Sequence, residues 1–401
     1  MYRRRRTTIF GALGLILLGG AYGTMTLLAP LPAVSAAVIP YVSPVSAAAA
    51  PALPTYGASG IGAAGSGTLL ASAGSTEPVP IASISKVITS LVVLEAKPID
   101  EGTDGGTLSF TSADVQIYND YLAVNGSIKP VTAGTSLSQR DVMELVLVGS
   151  ANNYTQSLVN WAFGSEEEYT VAANAWLAEQ GMTSTSVSDA TGMSPLNVST
   201  PTDLVTLGTL ALANPTISEI TSQETVTVPS VGELDNTNKL LGVDGIDGIK
   251  TGTLDEAGAC LLFSADVTVG GEEITLVGVI LGAPDHDIVD RDVLALLNTA
   301  EAGYHEVVLT TAGQEFGSYT TEWGNSASLV ATEDRSTVVW SDTPVTAEVA
   351  AEAVTLTASG DDQGSVVFSV GGTQITVPLE TNNAIEDPGA WWRLTNPSKL
   401  F

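Results

Sequence analysis

The sequence predicts an α+β fold followed by a small β domain. Apolar residues recur at helical spacing in the middle of residues 57–305, and strand-like apolar runs with glycine turns lie on both sides of them. After residue 305, polar and apolar residues alternate, which predicts strands only. With 401 residues, 44% of them hydrophobic, the chain is long enough for two folded units and a leader.

Residues 1–35 are predicted to be a signal sequence or membrane anchor. Arginines at 3–6 precede an uncharged stretch that ends near Leu28, and a basic start before an apolar run directs export. The run approaches the ~20 residues that span a bilayer, which favours an uncleaved anchor with the rest of the chain outside the cytoplasm. Cleavage after residues 34–36, followed by secretion, is the alternative. Residues 36–56 are rich in alanine and proline and are predicted to be a linker.

Residues 57–305 are predicted to form the main domain. Two short strands come first, and helices follow whose ends are marked by caps and glycines. The predicted elements of this part are the strand pair 58–71 and the helices 81–96, 138–149, 153–163 and 166–180. A long hairpin with a Gly270-Gly271 turn comes next, and the segment around Lys250 is predicted to pair beside it. The predicted strands are 248–253, 259–269 and 274–282, and the last helix is 292–303.

Residues 306–401 are predicted to form a separate β-rich domain. Alternating patterns indicate strands at 336–341, 347–358 and 364–378, and the domain contains no catalytic combination of side chains. The tandem Trp391 and Trp392 near its end are interpreted as packing residues, with a membrane surface or a partner as alternatives.

Composition argues against two classes of function. The chain has 14 Lys and Arg against 44 Asp and Glu, a net charge of -30, whereas nucleic-acid binding needs clustered basic side chains. One cysteine excludes an internal disulfide, and two histidines leave little for a zinc site, so no metal or cofactor is predicted. Cys260 lies in an apolar run and is predicted to be a buried strand residue.

Ser83 and Lys86 form the first catalytic signal. They stand three residues apart on a predicted helix, which places both side chains on one face. An unprotonated lysine can take the proton of a serine hydroxyl and so produce a nucleophile without histidine. The charged form of that lysine must be disfavoured by burial or by another cation, and Lys250 is the candidate cation.

Ser150 and Asn152 form the second signal. With its hydroxyl polarised by Lys250, Ser150 can pass a proton to a leaving amine. Asn152 is placed in an irregular segment just after Gly149, where its amide can hold a substrate peptide bond.

Lys250-Thr251-Gly252 forms the third signal, on a predicted strand. Thr251 offers a hydroxyl to a carboxylate, and Gly252 lets a substrate lie close to the strand and pair with it. The amide of Thr253 can join that of Ser83 in stabilising an oxyanion. The three signals together predict acyl transfer through a serine ester.

With these motifs in this order, the chain resembles the low-molecular-mass penicillin-binding proteins of the D-alanyl-D-alanine carboxypeptidase family, the S11-type serine peptidases. The resemblance covers about residues 56–304 and includes the stretches 150–154, 189–194 and 248–253. It implies the penicillin-binding, β-lactamase-like transpeptidase fold, a five-stranded antiparallel sheet flanked by helices. The strand-rich tail resembles the β domain that often follows.

The same resemblance implies a role for each motif residue. The implied roles are nucleophile for Ser83, base for Lys86, proton relay for Ser150, and substrate binding for Asn152, Lys250, Thr251 and Thr253. The implied reaction removes the last D-alanine from the pentapeptide stem of peptidoglycan, with β-lactams as covalent inhibitors at Ser83. Arg291 is a further candidate for the substrate carboxylate, although surface pairing with Asp290 or Asp292 is favoured.

Two other functions are compatible with the motifs. A serine β-lactamase needs an efficient base for deacylation, but Glu166 and its two neighbours are interpreted as the solvated start of a helix, without the Glu-x-x-Leu-Asn setting of class A enzymes. A non-catalytic penicillin-sensing or wall-binding protein has no need for Lys86 and Ser150 together. Cleavage of cross-links between stems is left open by the motifs.

Overall fold

The computed structural model describes residues 2–401, which form two compact units. The larger unit is Ala49–Tyr304, and the smaller unit combines the chain up to Ala48 with His305–Phe401. The helices are α1 (Tyr2–Leu27), α2 (Ser85–Ala96), α3 (Ser112–Ala123), α4 (Gln139–Leu147), α5 (Asn152–Phe163), α6 (Glu166–Glu179), α7 (Pro201–Ala213), α8 (Pro215–Thr221), α9 (His286–Glu301) and α10 (Gly389–Thr395), with 3-10 turns at Ala82–Ile84 and Pro397–Lys399.

The strands are numbered in chain order through both units. They are β1 (Ala37–Val38), β2 (Ala58–Ala63), β3 (Ala71–Gly74), β4 (Val79–Pro80), β5 (Thr107–Ser109), β6 (Ser136–Ser138), β7 (Val198–Ser199), β8 (Thr225–Val228), β9 (Gly232–Asp235), β10 (Ile246–Leu254), β11 (Gly258–Val269), β12 (Glu272–Ala283), β13 (Tyr304–Thr310), β14 (Glu315–Thr320), β15 (Ser326–Ala331), β16 (Arg335–Trp340), β17 (Val345–Ala351), β18 (Asp362–Val370) and β19 (Thr373–Thr381).

The larger unit is built on a five-stranded antiparallel sheet in the order β10-β11-β12-β2-β3. The predicted hairpin is confirmed, because β11 and β12 turn at Gly270 and Gly271, whose φ values of 59° and 83° suit a tight turn of this kind. The strand that carries Lys250 pairs beside it, with Lys250 opposite Leu262. β10 is the edge strand in this order, and its Gly252 lies against the 3-10 turn Ala82–Ile84.

Both faces of this sheet are buried, which explains why β11 is a continuous apolar run. Cys260 and Leu262 belong to the core cluster that includes α2, α4 and α5, whereas Leu261 and Phe263 belong to the cluster that includes α9. Alternate residues of a strand point to opposite faces, so the sheet separates two cores. The predicted burial of Cys260 is confirmed, since none of the residue is exposed.

Helix α2 lies inside the larger unit. Its residues from Ser85 to Leu94 are all buried, which confirms the broad apolar face predicted for this segment. The start predicted for α4 at Ser138 is also confirmed, since Ser138 caps the helix in a capping box: Asp141 N donates to Ser138 Oγ at 3.1 Å, and Ser138 N donates to Asp141 Oδ2 at 3.0 Å.

The smaller unit contains a six-stranded sheet in the order β1-β14-β15-β19-β18-β17. Its first strand lies in the predicted linker: Ala37 pairs with Ser318, and Ile39 N donates to the carbonyl oxygen of Phe316 at 2.8 Å. The segment therefore begins as an edge strand, because the outer edge of β14 offers backbone groups that any extended chain can satisfy.

The prediction of strands only after residue 305 is wrong for the last part of the chain. Trp391 and Trp392 lie on helix α10, which starts after Pro388 and ends before the 3-10 turn at Pro397. The segment lacks the alternation of a strand, and prolines at its two ends limit it to a short helix. Trp392 packs edge-on against Trp323 with ring centroids 5.7 Å apart, as the packing interpretation requires, but Trp391 is 78% exposed.

Candidate active site

Ser83 lies on the 3-10 turn that leads into α2, and it is partly exposed while its neighbours are buried. Ala82 has a φ of 46°, and Gly192 packs directly against it. A Cβ on Gly192 would lie 1.9 Å from the carbonyl oxygen of Ala82, and the φ of Gly192 is 80°. Only glycine fits at that point, so the stretch 189–194 holds the turn that presents Ser83.

Lys86 is fully buried one helical turn after Ser83. Its Nζ lies 2.8 Å from Ser83 Oγ and donates to the carbonyl oxygen of Thr191 at 2.7 Å. Burial holds the pKa of Lys86 well below its usual 10.5, the like charge of Lys250 lowers it further, and Asp189 offsets part of the shift. The lysine is therefore suited to be a neutral amine whose lone pair faces the serine hydroxyl.

Asp189 organises the loop that places the Thr191 carbonyl. Its carboxylate accepts hydrogen bonds from the backbone N–H groups of Thr191 and Gly192, each at 2.6 Å, and of Ser194 at 2.5 Å. Asn197 links this loop to α2, because its Nδ2 donates to Ser85 Oγ at 3.0 Å and to the carbonyl oxygen of Asp189 at 2.9 Å. The sequence analysis predicted no positioning role for Asp189 or Asn197. Asp189 belongs to the stretch 189–194 that carries the resemblance, whereas Asn197 lies outside that stretch.

Lys250 and Thr251 lie on the edge strand β10. Lys250 is 1% exposed, and burial lowers its pKa from 10.5 to about 7. Its Nζ is 3.4 Å from Thr237 Oγ1, and Thr251 Oγ1 donates to the same oxygen at 2.6 Å. Thr237 is a site residue that the sequence did not indicate, because an isolated threonine in a loop has no distinguishing pattern.

A cleft of about 580 Å³ opens beside the 3-10 turn. Most of the residues predicted from the three motifs line this cleft. The exceptions are Lys86 and Lys250, which are buried. The residues that line it are Ser83, Asn125, Gly126, Ser127, Ser150, Asn152, Met193, Asn236, Thr237, Lys239, Thr251, Gly252, Thr253, His286 and Asp290.

Ser150 lines the cleft from the turn between α4 and α5, and Asn152 lines it from the start of α5. Ser150 has a φ of 53° and is 8% exposed. The prediction that Asn152 lies in an irregular segment is wrong: it is the first residue of α5, and its N–H donates to the carbonyl oxygen of Ser127 at 2.7 Å. The Oδ1 of Asn152 is buried and has no hydrogen-bond partner within residues 2–401. A buried acceptor without a partner is costly, which suits a group that a bound ligand satisfies.

Gly252 has a different neighbour from the one expected. A Cβ at this position would lie 3.0 Å from the carbonyl oxygen of Ile81 and 3.3 Å from the backbone nitrogen of Ser83. The space that the glycine leaves is therefore occupied by the turn that carries Ser83. Gly252 brings the strand and the turn together, in addition to any clearance for a substrate.

His286 is a site residue that sequence reasoning missed, because the histidines were considered only as zinc ligands. It is the first residue of α9, and its Nε2 lies 2.7 Å from Thr253 Oγ1. Asp290, one turn further on, has its pKa raised by burial, an effect that His286 and Lys239 reduce. The surface pairing favoured for Arg291 is confirmed by its 2.8 Å contact with Asp292.

Glu166 is less solvated than expected. Its Oε1 accepts a hydrogen bond from Ala190 N at 3.0 Å, and burial raises the pKa of its carboxyl group. It supports the loop 189–194 and is not among the residues that line the cleft.

Comparisons with known proteins agree with this geometry. The sequence profile of the S11 peptidase family, described as D-alanyl-D-alanine carboxypeptidase, matches residues 60–285. The D-alanyl-D-alanine endopeptidase of Pseudomonas aeruginosa is 32% identical over 198 residues, 47% of this chain and 60% of that protein. The D-alanyl-D-alanine carboxypeptidase DacC of Escherichia coli is 29% identical over 224 residues, 54% of each chain. The chain thus spans a little over half the length of these relatives.

Solved structures share the fold. Penicillin-binding protein 5 from Haemophilus influenzae superimposes with a TM-score of 0.58 at 22% identity, over 86% of this chain and 100% of that one. A D-alanyl-D-alanine carboxypeptidase from Mycobacterium tuberculosis gives a TM-score of 0.53 at 25% identity, over 65% and 94%. The predicted penicillin-binding, transpeptidase-like fold is confirmed.

Proposed function

Because the chain belongs to the S11 family of D-alanyl-D-alanine carboxypeptidases, we propose that it is a serine-type carboxypeptidase that removes the terminal D-alanine from peptidoglycan pentapeptide stems. The contact between Lys86 and Ser83 carries this proposal. A buried lysine with a lowered pKa, 2.8 Å from a partly exposed serine at a cleft, is a base beside its nucleophile.

Acylation begins when the neutral amine of Lys86 takes the proton of Ser83. The serine oxygen then bonds to the carbonyl carbon of the penultimate D-alanine, and the backbone N–H groups of Ser83 and Thr253 stabilise the oxyanion. As the C–N bond breaks, Ser150 gives its proton to the departing D-alanine amine and recovers one from the Lys86 ammonium. D-alanine leaves, and the rest of the stem is held as an ester on Ser83.

Deacylation reverses the same transfers with water in place of the amine. Lys86, neutral again, takes a proton from the attacking water, and the oxygen bonds to the ester carbon. The bond to Ser83 Oγ breaks, the ammonium of Lys86 returns its proton to that oxygen, and the shortened stem leaves with a free carboxylate. β-Lactams enter the first half of this cycle because their amide carbonyl offers the same target, and they are proposed to acylate Ser83.

The substrate is held by groups along the cleft. The unsatisfied Oδ1 of Asn152 can accept a peptide N–H of the stem. The terminal carboxylate is proposed to bind the cationic form of Lys250 and the hydroxyl of Thr251. Thr253, whose hydroxyl is hydrogen-bonded to His286, is proposed to add a further contact to the substrate. Because β10 is an edge strand, the stem can extend along it as an added strand.

Release of D-alanine from diacetyl-Lys-D-Ala-D-Ala tests the proposal. The wild-type chain is expected to release it, and Ser83→Ala is expected to lose both release and labelling by a fluorescent penicillin. Ser90→Ala is the matched control, since Ser90 lies on α2, the helix that follows the turn of Ser83, and its buried hydroxyl has no partner in the described chain. Normal penicillin labelling without D-alanine release would refute carboxypeptidase activity and favour a penicillin-sensing protein.

A β-lactamase is separated by the fate of the acyl-enzyme. The proposed carboxypeptidase is expected to keep the penicilloyl group on Ser83, whereas rapid turnover of a chromogenic cephalosporin would indicate a β-lactamase. Glu166 is the candidate deacylation base of a β-lactamase, but its carboxylate accepts a hydrogen bond from the backbone of Ala190 and does not line the cleft. This arrangement favours the carboxypeptidase.

Endopeptidase activity is a second candidate for the same site. Relatives from Pseudomonas aeruginosa and Escherichia coli, each 32% identical, carry the name D-alanyl-D-alanine endopeptidase. Purified cross-linked muropeptide dimers and pentapeptide monomers, supplied separately, distinguish the two reactions by the products released. Cleavage of dimers alone would replace the carboxypeptidase proposal with the endopeptidase one.

The N-terminal helix is proposed to anchor the protein in the cytoplasmic membrane. The segment Arg3–Leu27 has 25 residues, and its most apolar 18-residue stretch has a mean hydropathy of 1.5, which fits a membrane anchor or a signal peptide. With the arginines on the cytoplasmic side, the rest of the chain lies outside the cytoplasm. Resistance of the protein to alkaline carbonate extraction is the expected result, and its recovery in the culture medium would refute anchoring.

A further inference from the structure

The side-chain oxygen of Thr237 accepts two hydrogen bonds. Thr251 Oγ1 donates to it at 2.6 Å, and Lys250 Nζ donates to it at 3.4 Å. A lysine ammonium only donates, and a hydroxyl oxygen has two lone pairs and one hydrogen. Both lone pairs of Thr237 are therefore engaged when Lys250 is cationic, and its own hydrogen points away from Thr251 and Lys250.

The same contacts commit the hydrogen of Thr251. A threonine hydroxyl has one hydrogen, and that of Thr251 is donated to Thr237. In this arrangement the hydroxyl of Thr251 presents lone pairs to any other group that approaches, and lone pairs repel a carboxylate. The hydroxyl that has a hydrogen to give is thus the one on Thr237.

The acceptor for the hydrogen of Thr237 has to come from the cleft. Thr237 is exposed and lines the cleft together with Thr251 and Ser83. No acceptor for this hydrogen is found among residues 2–401. Because the residue is exposed, only solvent competes with a ligand for the hydrogen.

Two asparagines fix the loop on either side of Thr237. Asn236 Nδ2 donates to the carbonyl oxygen of Gln223 at 2.9 Å. Asn238 Nδ2 donates to the carbonyl oxygen of Gly248, also at 2.9 Å. The backbone N–H of Asn238 donates to Asn236 Oδ1 at 2.9 Å, so the two asparagines brace the residue between them. Thr237 is exposed yet held in place, as recognition of a small ligand requires.

From these contacts we propose that Thr237 is a specificity-determining residue that donates its hydroxyl hydrogen directly to the terminal carboxylate of the substrate. Lys250 supplies the charge, and Thr251 holds Thr237 in the donating orientation. Two donors on one oxygen also strengthen the hydrogen bond that its own hydrogen makes. The inference rests on the proposed carboxypeptidase function and refines it, because the hydroxyl of Thr251 then acts on the carboxylate through Thr237.

Steady-state release of D-alanine from diacetyl-Lys-D-Ala-D-Ala by the full chain tests the proposal. Thr237→Val removes the hydroxyl and keeps the branched shape, whereas Thr237→Ser keeps the hydroxyl. We expect Thr237→Val to raise KM about tenfold or more with little change in kcat, because a hydrogen bond to a charged group is lost. Thr237→Ser is expected to stay within about twofold of the wild type. Thr227→Val, at an exposed threonine on β8 that does not line the cleft, is the matched control.

A double variant separates this arrangement from direct donation by Thr251. When Thr251 acts through Thr237, adding Thr251→Val to Thr237→Val is expected to cost no more than about a further twofold in kcat/KM. A loss equal to the product of the two single losses overturns the proposal. A KM of Thr237→Val equal to that of the wild type overturns it as well.

The rate of acylation by benzylpenicillin is measured on the same variants, because this β-lactam also carries a carboxylate. Labelling of the wild type without release of D-alanine refutes the carboxypeptidase function but still tests Thr237. Slower labelling of Thr237→Val than of Thr227→Val then supports the role of Thr237, and equal rates overturn it. A wild type that is not labelled at all overturns both proposals.

Discussion

Replacing Lys250 by methionine is expected to stabilise the larger unit while removing its activity. The proposed role of Lys250 needs a cation in a position where the side chain is buried, and burial lowers its pKa from 10.5 to about 7. Methionine has a similar unbranched shape without the charge, so it fills the same space. We therefore propose that the buried Lys250 destabilises the larger unit and that its charge is needed to bind the substrate carboxylate.

The size of that cost follows from the two pKa values. Between about pH 7 and pH 10.5 the unfolded chain holds a proton on Lys250 that the folded chain does not, so stability rises with pH in this window. The pKa of Lys250 in the folded chain lies about 3.5 below 10.5, and each pKa unit corresponds to about 1.4 kcal/mol. Because about half of the buried amine is protonated at pH 7, the cost at that pH is about 4 kcal/mol. At pH 10 the cost falls to about 1 kcal/mol.

Urea unfolding followed by tryptophan fluorescence at pH 7 and pH 10 measures the effect. At pH 7 the Lys250→Met midpoint is expected to rise by about 2 M, for a typical denaturant dependence of about 2 kcal/mol per M. The gain should mostly vanish at pH 10. Lys239→Met, at an exposed lysine on the rim of the same cleft, is the control and should change little. A Lys250→Met midpoint at or below that of the wild type at pH 7 would refute the reasoning.

Three further predictions concern the site itself. The kcat/KM for D-alanine release is expected to fall above about pH 7, because Lys250 loses its charge there; a pH profile of Lys250→Arg, in which the charge persists, should lack this alkaline limb. Gly192→Ala should abolish penicillin labelling, since its Cβ would collide with Ala82, while Gly181→Ala, at a similar φ of 77° but in open space, should label normally. His286→Ala should raise KM more than it lowers kcat in steady-state assays, because the imidazole holds the Thr253 hydroxyl at the cleft and takes no proton in the reaction; a KM equal to the wild type's would contradict that role.

Local patterns predicted much of the larger unit. The spacing of Ser138 and Asp141 was sufficient to locate the start of α4, and the Gly270-Gly271 turn was sufficient to pair β11 with β12. Such features depend on residues a few positions apart, where propensity and capping chemistry act directly. Helix α7 shows that the same signals can be overlooked: Thr200 caps it and Pro201 is its first residue, yet no helix was predicted there.

Contacts between segments far apart in the sequence could not be predicted from local patterns. Thr237 and His286 each touch a motif residue, but their own surroundings in the sequence carry no pattern. The linker and the last residues were assigned by composition, which does not reveal that Ala37 extends a sheet or that Tyr22 meets Leu394.

The sequence by itself determined the order and residue types of the three motifs, and with them the family, because the candidates for nucleophile, base and relay are recognised by residue type and short spacing. Only the tertiary structure decided how they work together. Burial of Lys86 beside Lys250 lowers the pKa that its proposed role as base requires, and Gly192 and Gly252 bring backbone against the turn of Ser83. Desolvation and close packing depend on residues that fold in from elsewhere in the chain, so no local pattern contains them.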